Sequence, residues 1–231
     1  MDKNIEKMIA VVPSERQLKW QELEFYGFLH YGLNTYLEIE WGDGSAALDI
    51  LNPSDMDVEQ WIVSMKAAEM KGIVMFCKHH DGFCLWDTKT TSYNIMNTPY
   101  GKDLLKEVAD ACVKYDMKLG LYLSPWDRSH PAYGTESYND VFIQQLDEIL
   151  TGYGKVFCVW FDGACGEGKN GKKQRYDWER YYAFIREKQP EAVISVAGPD
   201  VRWCGNEAGW HRAQEWSVVP AKLMSAECVA E

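Results

Sequence analysis

Residues 74–86 read VMFCKHHDGFCLW, and an abrupt change of residue type within this segment indicates a strand that ends in reactive side chains. The run from Ile73 to Cys77 is apolar without polar alternation, which is typical of a strand buried on both faces. The four residues that follow can all titrate: Lys78, His79, His80 and Asp81. A titratable cluster at the end of a buried strand is a candidate active site.

Outward from this segment, strand-like apolar runs alternate with segments of helical spacing. The predicted strands are residues 24–32, 72–77, 118–124, 155–163 and 192–198, with a sixth candidate at 213–216. The predicted helices are residues 58–70, 103–116, 137–154 and 176–190, and Asp57 is placed to cap the first of them. Strands separated by single helices indicate parallel βαβ units, and therefore an α/β fold that is either a barrel or a doubly wound sheet.

Polar groups at the strand ends favour the barrel. They lie where a barrel builds its active site, at the carboxyl ends of successive predicted strands: His30, His79, Tyr122 and Asp162. No glycine-rich phosphate turn follows the first strand, which disfavours a dinucleotide-binding sheet. We therefore predict a (β/α)8-type TIM barrel. Because a complete one takes about 250 residues and only five or six strands are found, we expect an incomplete barrel.

Composition restricts the class of protein and its partners. The chain has 231 residues, 46% of them hydrophobic, which is enough for one sizeable core. Its net charge of −11 argues against a nucleic-acid partner, because phosphate binding needs clustered Lys and Arg. The chain contains no apolar run of transmembrane length and no export signal. We expect no membrane partner and, for the chain as given, a cytoplasmic location; the residues do not indicate an oligomeric state.

The seven cysteines are an odd number, and several lie within apolar runs. A thiol in such a run packs as a small hydrophobic group, so we expect free, buried cysteines. No CxxC pair is present to support a zinc knuckle.

Asp162 ends the apolar run VFCVWFDG, in which Gly163 follows it. Trp160 and Asp162 alternate with Phe161, so they share one face of the predicted strand. One interpretation is a carboxylate that caps the following loop. The other is a nucleophile held between aromatic walls and turned toward a bound substrate.

His79 and His80 are adjacent, so on an ideal strand they would point to opposite faces. A metal site would more naturally use a His-x-His pair, whereas single donors suit hydrogen bonds to a polar ligand. Two alternatives stay open: structural histidines, and a metal-dependent hydrolase built on His79, His80, His30 and Asp162. Asp81 is expected to orient a histidine or to cap the turn before Gly82.

Further candidates lie in aromatic and loop segments. Trp41 and Trp86 could stack on the apolar face of a sugar, or simply pack. Glu207 lies in a loop, residues 197–210, that is rich in Gly, Pro and Asn. It could be a solvated carboxylate. Paired with Asp162 it would suit glycoside cleavage with retention, which needs two carboxyls roughly 5–5.5 Å apart.

Several motifs in this order resemble the α-L-fucosidases of glycoside hydrolase family 29. The segments that carry the resemblance are FYGFLHYGLNTY, EWGDG, KGIVMFCKHHDGFCLWDTKTTSYNI, LGLYLSPWDRSHPAYGT, VWFDGACG and AGPDVRWCGNEAGW. They span the chain from about residue 18 onward. The motifs EWGDG, YLSPWDR and RWCGNE resemble the branch that acts on α-1,3- and α-1,4-linked fucose.

The resemblance implies a role for each matching residue. Asp162 matches the family nucleophile and Glu207 the general acid/base, a position that varies across the family. The implied sugar contacts are His30, His79, His80, Tyr122, Trp160, Glu40 and Trp41. No metal or organic cofactor is implied, and the implied partner is a fucosylated oligosaccharide or glycan.

Family members continue beyond the segment SAEC into the rest of the barrel and usually into a β-sandwich domain. Residues 1–231 therefore resemble the N-terminal portion of a catalytic barrel, and we expect the remainder to be absent. The implied function is a retaining, exo-acting α-L-fucosidase. The alternative is a catalytically inactive, truncated homologue that binds sugar weakly or not at all.

Overall fold

The sheet is parallel, and its strands lie side by side in chain order. The computed structural model describes residues 3–196 and 198–203. Within them the strands are β1 (Gly27–Leu29), β2 (Gly72–Lys78), β3 (Lys118–Leu123), β4 (Val156–Phe161) and β5 (Val193–Val196), hydrogen-bonded in the order β1-β2-β3-β4-β5. A doubly wound sheet would reverse its strand order at a switch point, whereas a barrel keeps it. The predicted α/β barrel class is confirmed; the sixth candidate strand lies outside the described residues.

Helices alternate with the strands. They are α1 (Lys3–Ile9), α2 (Glu15–Gln21), α3 (Leu33–Leu37), α4 (Val58–Ala67), α5 (Leu104–Lys114), α6 (Tyr138–Gly152) and α7 (Trp178–Lys188). Short 3-10 turns occupy Leu48–Ile50 and Ile95–Asn97. No helix in the described ranges is both long and apolar enough to span a membrane.

Aspartate side chains fix the starts of three of the helices that follow strands or loops. Asp57 accepts a hydrogen bond from the Gln60 amide at 2.9 Å, which confirms the predicted cap of α4. Asp103 caps α5 and Asp177 caps α7 in the same manner. Each cap satisfies an amide that has no partner within its helix.

The two faces of the sheet have different environments. On β2, Ile73, Met75 and Cys77 belong to the large core that the helices cover. Val74 and Phe76 alternate with them and form a second cluster with Tyr122 on the other face. Because both faces are covered, all seven residues of β2 are buried, as its unbroken apolar pattern indicates.

The first strand is shorter than its apolar pattern predicts. The sequence predicts a strand over residues 24–32, but β1 covers only Gly27–Leu29, paired with residues 73–75 of β2. Glu24 has a φ of 55°, and α3 begins at Leu33. The aromatic residues around β1 reflect packing on its neighbours rather than strand length.

Four of the described cysteines are free and buried, as predicted. Cys77, Cys84, Cys112 and Cys158 are buried and Cys165 is partly buried. Cys204 and Cys228 lie outside the described residues.

Candidate active site

The carboxyl ends of the first four strands bring polar side chains to one edge of the sheet. The His30 and His79 ring centroids are 5.1 Å apart, and those of His79 and Tyr122 are 6.2 Å apart. The Tyr122 hydroxyl donates to Asp162 Oδ2 at 2.7 Å. The sequence therefore predicts correctly that these four residues lie together at one edge of the sheet. We call this edge, with His30, His79, Tyr122 and Asp162, the mouth of the site.

The two adjacent histidines lie on the same side of the sheet. Their rings stack with centroids 4.0 Å apart and an interplanar angle of 29°. The expectation of opposite faces is wrong, because β2 ends at Lys78 and both histidines lie beyond regular strand geometry. The register with β3 also shifts between Phe76 and Lys78, as at a β-bulge, which re-aims the side chains that follow.

His80 is held in one orientation by Ser124. His80 Nδ1 lies 2.7 Å from Ser124 Oγ, and this hydroxyl donates to the Trp126 carbonyl at 2.9 Å. Since the hydroxyl proton is committed, His80 Nδ1 is the donor, and the neutral ring presents Nε2 as an acceptor. Nε2 lies 3.8 Å from Asp162 Oδ2.

Both histidines are neutral at ordinary pH. Burial, with the nearby cations and His30, lowers the pKa of His80 to about 3. Burial, with the other two histidine rings, lowers the pKa of His79 to about 2. His79 Nδ1 has no hydrogen-bond partner in the described part of the chain. A buried polar atom of this kind at the wall of a cleft is available to a ligand.

Asp162 is fixed through both of its oxygens. Oδ1 accepts from the Ala164 amide at 2.8 Å, and Oδ2 from Tyr122. The first bond is the loop cap that one interpretation of the sequence expects; the second turns the carboxylate toward the mouth. The side chain is 27% exposed, so a ligand can reach it.

Aromatic side chains line the same region. Trp160 contacts Tyr122 edge-on at 5.6 Å, and its indole Nε1 has no partner among the described residues. Trp41 is 48% exposed and lies edge-on to His80 at 5.4 Å. Trp126, which the sequence analysis did not single out, lies 5.0 Å from His80. Its place just after β3, in the segment YLSPWDR, could have identified it.

A cleft of about 270 Å³ opens beside these groups. Its lining includes His30, Glu40, Phe76 and His79, while Asp162 is not part of this wall. A neighbouring cleft of about 430 Å³ includes Trp41. The mouth is therefore an extended groove rather than one closed pocket.

Three candidates have other positions. Trp86 is fully buried and donates its indole N–H to Glu148 at 2.8 Å, so it packs in the core and offers no face to a sugar; the prediction of a contact there is wrong. Asp81 accepts from the Phe83 amide at 3.1 Å and so caps the turn at Gly82. Glu207 lies outside the described residues.

In the described part of the chain, no three His, Cys, Asp or Glu side chains converge in the geometry of a metal site. His30, His79, His80 and Asp162 therefore share a mouth without forming such a cluster.

Comparison with known proteins gives a consistent result. The family model described as Alpha-L-fucosidase matches residues 10–212. "Alpha-L-fucosidase 1" of Arabidopsis thaliana is 41% identical over 215 residues, which are 91% of this chain and 42% of the relative. The chain thus spans about two fifths of the length of that relative.

Solved structures agree. A glycoside hydrolase 29 family member from an unknown rumen bacterium has a TM-score of 0.83 and 42% identity, covering 93% of this chain and 43% of its own. A Ruminococcus gnavus GH29 fucosidase in complex with fucose has a TM-score of 0.80 and 33% identity, covering 93% of this chain and 50% of its own.

Proposed function

This chain belongs to the α-L-fucosidase family, and from that premise we propose that it carries the sugar pocket and the nucleophile of a retaining, exo-acting α-L-fucosidase. The observation that carries the proposal is the carboxylate of Asp162, held by Tyr122 and Ala164 at the end of β4 and facing His80. The alternative, an inactive homologue, is less favoured because hydrogen bonds hold these side chains in a defined arrangement.

In the proposed reaction Asp162 is the nucleophile. Its carboxylate oxygen attacks the anomeric carbon of fucose, and the bond to the leaving oxygen breaks to give a covalent fucosyl-enzyme. Glu207, by family resemblance, protonates the leaving oxygen and then takes a proton from the water that releases fucose. The Tyr122 hydroxyl and the Ala164 amide keep the attacking group oriented.

The neutral imidazoles suit a ligand made of hydroxyl groups. His80 Nε2 is an acceptor for a sugar O–H, and it lies 3.8 Å from Oδ2 of the proposed nucleophile, Asp162. The unpaired His79 Nδ1 and Trp160 Nε1 are further groups that fucose would satisfy. His30, Glu40, Trp41 and Tyr122 complete the proposed contacts; Trp86 is not among them.

The proposed substrate is terminal fucose linked α-1,3 or α-1,4 within an oligosaccharide or glycan. The support is the resemblance of EWGDG, YLSPWDR and RWCGNE to that branch of the family. An α-1,2-fucosylated trisaccharide of the same size should be cleaved more slowly than an α-1,3/1,4-fucosylated one. Equal rates would contradict the branch assignment and leave the family assignment intact.

The test of the mechanism is hydrolysis of an aryl α-L-fucoside by the chain and by its Asp162→Ala variant. We expect turnover to fall on the order of a thousandfold or more while L-fucose still binds. Asp147→Ala, at an exposed position on α6, is the matched control and should keep the original rate. Normal turnover in Asp162→Ala would remove Asp162 from the mechanism.

The role of Glu207 is tested by comparing leaving groups. Glu207→Ala should lose more activity on the trisaccharide than on the aryl fucoside, because an aryl oxide leaves without a proton. Equal losses on the two substrates would rule out the acid/base role.

A further inference from the structure

Lys78, the last residue of β2, carries a fully buried ammonium group at the start of the candidate site. Its side chain has no exposure to solvent. Its three protons are matched by three oxygens: Asp127 Oδ2 at 3.2 Å, the Tyr138 hydroxyl at 2.8 Å and Gln145 Oε1 at 2.9 Å. A buried charge is tolerated only with such complete pairing, so the geometry around Nζ is narrowly defined.

Asp127, the ionic partner, is equally enclosed and fixes a second segment. Its side chain is 1% exposed. Oδ1 accepts from the amides of Ser129 at 3.0 Å and His130 at 2.8 Å, while Oδ2 also accepts from Tyr138 at 3.1 Å. The ion pair thus joins the end of β2 to the loop that follows β3.

These two segments are the ones that hold His80. The Arg128 amide donates to the His80 carbonyl at 2.8 Å, and the Ser124 amide to the Lys78 carbonyl at 3.0 Å. Ser124 Oγ fixes the His80 ring. Gly82 lets the chain pass directly against Asp127, because a Cβ added there would lie 2.3 Å from Asp127 Oδ1. Both hydrogen bonds that these segments make to His80 therefore come from residues within three positions of Asp127.

We propose that the Lys78–Asp127 ion pair is a positioning device that sets the orientation of His80 in the sugar pocket. The ion pair touches no ligand itself. It acts by holding the β2 end, where the register shifts by one residue, against the loop at residues 124–130. The effect on sugar binding rests on the function proposed above, whereas the effect on the His80 ring does not.

The test compares the whole chain with Lys78→Met, Asp127→Asn and the double variant. The double variant removes both charges, so neither is left buried without a partner, and we expect it to fold. Its L-fucose dissociation constant, from calorimetry, should rise by about tenfold. In ¹⁵N-histidine spectra, with His80 assigned through His80→Gln, the His80 nitrogens should shift or broaden as the ring loses its single orientation.

Arg186→Met is the matched control. Arg186, on α7, forms a partly buried ion pair with Asp200, which follows β5, so neither partner lies on an element that carries Lys78 or Asp127. This variant should lower Tm but leave the His80 nitrogens and the dissociation constant unchanged. If it moves them as the double variant does, general destabilisation explains the effect and the proposal fails.

Two further outcomes are decisive. Unchanged His80 resonances in a folded double variant overturn the proposal. A native chain that binds no L-fucose contradicts the proposed function, and the His80 comparison still decides the positioning role. If the double variant does not fold, Tyr138→Phe replaces it, since this change removes one hydroxyl from both Lys78 and Asp127. It should shift His80 in the same direction by a smaller amount, and no shift overturns the proposal.

Discussion

At Asp162, two donors from different parts of the chain orient one carboxylate. Ala164 is two residues away, but Tyr122 comes from the neighbouring strand and is 1% exposed. Burial, together with the Asp162 carboxylate, raises the pKa of Tyr122 well above its usual range, so its hydroxyl stays protonated and remains a donor. A side chain of β3 thus helps to orient the carboxylate that follows β4.

Replacing Tyr122 by Phe should therefore lower activity more than stability. The change removes one hydrogen bond to the proposed nucleophile and keeps the ring that packs on Phe76. We expect kcat/KM on an aryl α-L-fucoside to fall by about tenfold to a hundredfold. Tm is the accompanying measurement; a drop in Tm with unchanged kcat/KM would contradict the orienting role.

The buried histidines predict a loss of stability in acid. The unfolded chain binds protons at its histidines below a pKa of about 6.5, whereas folded His79 and His80 bind them only near pH 2 and 3. The unfolded state then holds more protons, so stability falls as pH decreases from 7. Each histidine contributes up to about 2 kcal/mol of loss between pH 7 and 5.

His80→Gln should reduce this pH dependence. The free energy of unfolding, from urea titrations at pH 7 and 5, should decrease less in the variant than in the native chain. Asp81 acts in the opposite sense, because burial raises its pKa to about 6. It is present in both proteins, so the difference between them isolates His80. An equal decrease in the free energy of unfolding in both proteins would show that His80 already binds a proton in the folded state.

At the residue scale, the sequence predicts where a side chain lies in the fold better than it predicts which side chains contact each other. Residues at strand ends were identified because parallel strands end at one edge. Lys78 was seen only as part of a titratable run, since its partner Asp127 lies 49 positions away. For Trp86 the sequence leaves both a sugar contact and packing open, because aromatic rings suit cores and ligands alike, and the structure decides for packing.

At the scale of the helices, two capping aspartates have unequal surroundings. Asp57 accepts one bond, from Gln60. Asp103 accepts from Lys106, and its other oxygen accepts from the Asp87 amide at 3.1 Å and the Tyr153 hydroxyl at 2.7 Å. Asp103 therefore joins α5 to a loop and to the end of α6.

Alanine substitution should separate these roles. Asp57→Ala should cost about 1 kcal/mol of unfolding free energy, the usual value for a lost cap. Asp103→Ala should cost roughly 2 kcal/mol more, because two further donors lose their acceptor. Urea unfolding of both variants gives the comparison; equal losses would mean that the contacts with Asp87 and Tyr153 contribute nothing.

Elements with strong local signals were predictable, and those set by tertiary contacts were not. The helical spacing of α4 and α5, with the Asp57 cap of α4, predicts their positions to within a few residues. β1 was overextended, because its aromatic residues favour a strand while the left-handed Glu24 and the start of α3 limit it. The residue pattern does not predict the register shift at the end of β2.

For the molecule as a whole, the enclosed core predicts protected thiols. Cys77, Cys84, Cys112 and Cys158 are buried, and burial raises the pKa of Cys112 to about 12 and that of the other three further. In native buffer at least four of the seven cysteines should fail to react with a disulfide reagent such as DTNB. All seven should react in guanidinium chloride; rapid reaction of more than three in native buffer would show that the core opens.

The sequential order of the strands also bears on how the protein is made. Each described strand after β1 hydrogen-bonds to the strand that precedes it in the chain. A ribosome releases the chain from its amino end, and domains assemble as they emerge. Each later strand therefore emerges from the ribosome with its pairing partner already synthesised, and the sheet can grow by one βα unit at a time in step with translation.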